Sequence, residues 1–106
     1  MRLFVFALSV ALLSTTPAAA WWVSGHGSLQ CGEWLEGRKG NSLNTLGAST
    51  WLQGFLSGYN FSLDTQVGRD VKYQSIEAFV DKYCRENPLG KVADAAVSLV
   101  EKLSKK

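Results

Sequence analysis

The sequence is poor in the side chains that perform chemistry. It holds one histidine and two cysteines in 106 residues. That count all but excludes a metal centre built from several nitrogen or sulfur ligands. Charge of one sign is also scarce: eleven Lys and Arg stand against nine Asp and Glu, a formal net charge of +2. So small an excess offers no electrostatic reason to bind nucleic acid. With 46% hydrophobic and 19% charged residues, the composition does not suit a disordered chain, which is less apolar and more one-sidedly charged. The length suits one domain and is too short for two. Internal repeats and low-complexity tracts are missing too.

Catalytic patterns are equally thin. His26 lies between Gly25 and Gly27, whereas a catalytic base must be held still against its partner. Glu77 and Asp81 are carboxylates one helical turn apart. A glycosidase sets its two carboxyl groups across a cleft, so this pair is expected on a solvated helix face. Gly54-Phe55-Leu56-Ser57-Gly58 lacks the preceding strand of a nucleophile elbow. Asn60-Phe61-Ser62 matches a glycosylation sequon, which matters only in a eukaryotic secretory route. The expectation is a protein that is not an enzyme, with no catalytic, metal-binding or cofactor-binding residues.

What is present begins with a leader. Arg2 supplies a positive start, residues 3–13 are apolar apart from Ser9, and Ser14-Thr15-Thr16-Pro17 breaks the run before Ala18-Ala19-Ala20. This order of parts reads as a secretory signal peptide over residues 1–20, cut after Ala20. As a helix the apolar run would reach only about 16 Å, against a bilayer core of about 30 Å. No later segment is apolar enough to span one, so no membrane contact is expected after cleavage. A periplasmic or secreted location follows.

Export places Cys31 and Cys84 in an oxidising compartment, where a single disulfide is the default. Closing a loop of that length stabilises by about 4 kcal/mol in the chain-entropy view. A redox pair would need a Cys-x-x-Cys spacing, which is missing.

The rest of the chain reads as all-α: a small bundle of about four short helices closed by one disulfide. Residues 21–28 are punctuated by Gly and Ser and read as a flexible arm, whose Trp21 and Trp22 are expected to fold back onto the domain. Residues 29–106 form the single helical domain. Helices are expected near 28–39, 48–63, 76–86 and 88–104. Ser75 is the expected cap of the third, and Asn87 with Pro88 the start of the fourth. Asp81 and Arg85 form an expected i, i+4 pair.

The strongest helical stripe holds Trp51, Leu52, Phe55, Leu56, Tyr59 and Leu63, with Gly54 and Gly58 along one edge. Those glycines suggest that another backbone passes close by. The apolar residues Trp51, Leu52, Phe55 and Tyr59 are either core or a binding surface uncovered under some condition.

Three short segments carry a resemblance: Cys31-Gly32-Glu33-Trp34-Leu35, Trp51-Leu52-Gln53-Gly54-Phe55, and Tyr83-Cys84-Arg85-Glu86-Asn87-Pro88. Together they resemble the HdeA/HdeB family of periplasmic acid-stress chaperones over roughly residues 31–103. The resemblance implies an all-α fold with one disulfide, often as a homodimer, that binds unfolded client proteins at low pH. Trp51, Leu52, Phe55 and Tyr59 would then be the client-binding surface. The Gly54 to Gly58 segment, Asn87-Pro88 and the Ala-rich last helix are also similar to Rap/Tai-type immunity proteins, which implies instead one specific toxin partner. The chain departs from that group in lacking further cysteines, and from the first in its glycine-rich first helix and aromatic arm.

Overall fold

A computed structural model describes residues 21–105. The expected signal peptide, residues 1–20, lies outside the described residues. After a single 3₁₀ turn at Gly25–Ser28 come four helices: α1 at Cys31–Arg38, α2 at Leu43–Leu63, α3 at Tyr73–Glu86 and α4 at Val92–Ser104. The fold is therefore all-α, closed by a Cys31–Cys84 disulfide with Cα atoms 4.8 Å apart. The bond joins the first residue of α1 to the last turn of α3.

Each helix starts where local chemistry satisfies its free N–H groups. Ahead of α2, Ser42 is extended and its Oγ accepts from the Thr45 N–H at 3.1 Å. That cap moves the start to Leu43, five residues before the expected one. The helix ends at Asp64, in the left-handed region at φ 51°, with its N–H on the Asn60 carbonyl. α3 begins at Tyr73 after an extended Lys72, so Ser75 lies within its first turn and caps nothing.

The largest shift concerns α4. Asn87 closes α3, both its N–H and its Nδ2 donating to the Tyr83 carbonyl. Pro88 and Leu89 form a turn, and α4 starts only at Val92, where the Lys91 N–H donates to Asp94 Oδ2 at 2.9 Å. The cause is a short antiparallel clasp. The Cys31 N–H donates to the Gly90 carbonyl and the Val92 N–H to the Leu29 carbonyl, each at 2.9 Å. An extended chain on both sides of this bridge, Gln30 to Lys91, excludes helix at either position. Leu89 thereby stays outside α4 and is 97% exposed.

Inside, Trp34, Leu52, Val80, Val92 and the two cysteines are fully buried. Each aliphatic member of such a core contributes about 1.5–3 kcal/mol relative to exposure. A second cluster, of Leu56, Ile76, Leu99 and Val100, continues toward the other end of the bundle. The expected close backbone at Gly54 and Gly58 is not found, because both look onto open space. Close approach occurs instead at Gly27. A Cβ there would run into the Trp51 indole, so the 3₁₀ turn can lie flat on α2 only with glycine at this position.

Candidate functional site

Trp51, Phe55 and Tyr59 recur every four residues and so share one face of α2. Leu52 is one step further, about 100° round the helix, and is fully buried in the core. It is thus separated from the other three in the folded chain. The Trp51 and Phe55 rings stack with centroids 5.3 Å apart. Trp21 folds back over both, at 6.4 Å from Trp51 and 5.9 Å from Phe55. Trp51 Nε1–H donates to the Ser24 carbonyl at 2.8 Å. The arm read as flexible is therefore docked along α2, although Trp22 points away and is 89% exposed. His26, in the 3₁₀ turn, rests its ring against Gly47.

α4 supplies the opposite wall. Val97 and Val100 face Phe55 and Tyr59 across a groove of about 570 Å³, with Glu101, Ser104 and Lys105 on its rim. Tyr59 and Ser104 share a hydrogen bond of 3.3 Å across it. The groove is thus an apolar, aromatic-rich trough with a few polar groups at its edge, the composition usual in sites for apolar ligands or side chains. Among the described residues no group of three His, Cys, Asp or Glu converges as a metal site would require.

A second constellation was not legible as such. Glu77 and Asp81 do not lie on a solvated face. Arg38 reaches across from α1 and bonds both, through Nη1 to Glu77 Oε2 at 3.0 Å and through Nε to Asp81 Oδ1 at 3.0 Å. A second Arg38 nitrogen meets Asp81 Oδ2 at 3.2 Å, making that pair bidentate. Trp34 Nε1–H adds a bond to Asp81 Oδ1 at 2.8 Å, and the Arg38 guanidinium lies 5.5 Å from the Trp34 ring centre. α2 joins through Ser49, whose Oγ donates to Glu77 at 3.3 Å and whose carbonyl accepts from Tyr73 at 2.8 Å. Asp81 is thus taken by Arg38, not by the expected Arg85.

The electrostatics agree with this geometry. The hydrogen bond to Asp81 is the main reason the Arg38 guanidinium holds its proton more tightly than usual, against an opposing effect of desolvation. Burial is the main reason the Tyr73 hydroxyl is pushed above its ordinary range. The signal in the sequence is Arg38 itself, a cation one helical turn after the buried Trp34.

Asn60, the sequon residue, is also committed. Its Oδ1 accepts from Thr65 Oγ1 and the Val67 N–H, both at 2.8 Å, and its Nδ2 donates to the Val67 carbonyl at 3.0 Å. It serves as the pin of the loop between α2 and α3.

No protein-family model, curated protein or solved structure matches the chain.

Proposed function

We propose that this is an exported, periplasmic chaperone of the HdeA/HdeB kind, activated by acid, which binds unfolded clients through the Trp51, Phe55 and Tyr59 face. The observation that supports this reading is the Arg38 clasp. Both carboxylates that hold α1 against α3 are spent on one guanidinium, and protonating them removes both ion pairs at once. The whole chain is pushed the same way. Without Arg2, ten basic side chains remain, and with all nine carboxylates and His26 protonated the charge nears +11 before the termini. Such self-repulsion loosens a small core. The disulfide persists, because thiolate attack is suppressed in acid, and it tethers the opened helices. Leu52, buried at rest, joins the client surface only in that opened state.

The test is aggregation of a client enzyme at about pH 2–3, well below the ordinary carboxylate range, followed by light scattering. The reading expects suppression by excess protein; unchanged scattering would overturn it.

A second reading is favoured by a different observation, the groove already open in the folded chain. There the protein is an immunity or inhibitor module that binds one toxin partner near neutral pH. A tight complex at about pH 7 with the product of an adjacent toxin gene, together with no effect on client aggregation in acid, would select it.

A further inference from the structure

The groove between α2 and α4 is partly filled by the chain itself, and the manner of filling is informative. Ser24 is extended, at φ −100° and ψ 140°, and no helix includes residues 21–24. Two contacts of the arm with α2 differ in kind. One is to a side chain, the Trp21 indole on Trp51 and Phe55. The other is to main chain, the Ser24 carbonyl on Trp51 Nε1. A carbonyl contact is available from any residue, so of these two only the first selects a side-chain type; Val23 between them is half-buried.

The seat is not sealed. Trp21 remains 44% exposed, and unfilled space of about 570 Å³ continues beyond it toward Tyr59 and Ser104. A partly exposed segment of this kind is displaceable by a free one of the same pattern at saturating concentration.

We propose that residues 21–24 are an intramolecular stand-in for an extended polypeptide ligand. The groove takes a segment in which an aromatic side chain lies three residues before a backbone carbonyl. The inference rests on the groove being a polypeptide-binding face, the part common to both readings above, and it needs no acid.

The test uses the mature chain and Trp21→Ala at about pH 7, with a dye-labelled, end-capped Trp-Trp-Val-Ser peptide read by anisotropy. Removing a tethered competitor raises apparent affinity by the inverse of the fraction of open grooves, so Trp21→Ala is expected to bind at least about tenfold more tightly. Changing the peptide's first Trp to Ala abolishes binding, whereas Phe retains it. A second readout needs no variant: with fluorinated tryptophans, saturating peptide moves the Trp21 resonance of the unaltered chain to its free position.

Binding that is equal or weaker in Trp21→Ala makes Trp21 a fixed wall and overturns the stand-in while leaving the groove as a binding face. If neither chain binds the peptide, the groove fails as well. A concentration-dependent dimer of the unaltered chain in sedimentation, with peptide binding unimproved by Trp21→Ala, assigns the seat to the arm of a second copy and also overturns the proposal.

Discussion

Trp34 Nε1 donates to Asp81 Oδ1 at 2.8 Å across 47 residues of sequence. Trp34 is fully buried, and Asp81 is the acceptor its indole N–H uses. Truncating Asp81 to Ala strands that donor and removes the bidentate partner of Arg38. A buried donor left unsatisfied costs about 1–3 kcal/mol, so Asp81→Ala is expected to lose about 2–3 kcal/mol in urea unfolding at neutral pH. Asp81→Asn keeps Oδ1 as the acceptor for the indole and for Arg38 Nε, but it loses the charge and puts an amide donor where Oδ2 accepted from Arg38, so a smaller loss of about 1–2 kcal/mol is expected. Equal losses in the two variants would mean that the indole contact contributes nothing.

The glycines separate into two kinds with opposite responses. Gly27→Ala forces a methyl group into the Trp51 indole and is expected to destabilise by about 1–3 kcal/mol, the usual cost of overpacking. Gly54→Ala meets nothing within 4 Å in the interior of α2. It is expected to stabilise by about 0.5–1 kcal/mol through helix propensity. Thermal midpoints of the two variants should therefore move in opposite directions.

How much of this was legible follows from where the information sits. The four helices and the Cys31–Cys84 bond came from periodicity and compartment, which are local and compositional signals. The start of α4 was misplaced because Asn87-Pro88 is a good local start, and what overrides it is the pairing of Leu29 and Cys31 with Gly90 and Val92, invisible to any window. The aromatic face was legible as a stripe. Its division into an accessible trio and a buried Leu52 required knowing which side α4 occupies. The Arg38 clasp is illegible for the same reason: Glu77 and Asp81 look solvated on α3 alone and become half-buried only when α1 crosses them.

Asn60→Ala removes the three bonds that pin the loop to α2. Some of those backbone and hydroxyl groups regain water, so the expected cost is about 1–2 kcal/mol. Hydrogen exchange should localise the change, with the Val67 amide losing protection and the amides of α4 keeping theirs.

The alkaline limb of stability is assigned to Tyr73. Burial raises its hydroxyl above the ordinary value of 10.0, so the folded state favours the neutral phenol. A raised folded value contributes stability that is fully present below the unfolded value and is lost as pH climbs through the folded one. Arg38 is raised too, chiefly by its hydrogen bond to Asp81, which moves its own titration further from the accessible range. Urea midpoints are therefore expected to fall from about pH 10 upward. Tyr73→Phe cannot ionise, so it should start lower, having lost its bond to the Ser49 carbonyl, and should decline less steeply over the same interval. A Tyr73→Phe curve parallel to that of the unaltered chain would move the alkaline loss elsewhere. Tyr83 is the next candidate, since burial and Asp94 raise its hydroxyl in the same direction.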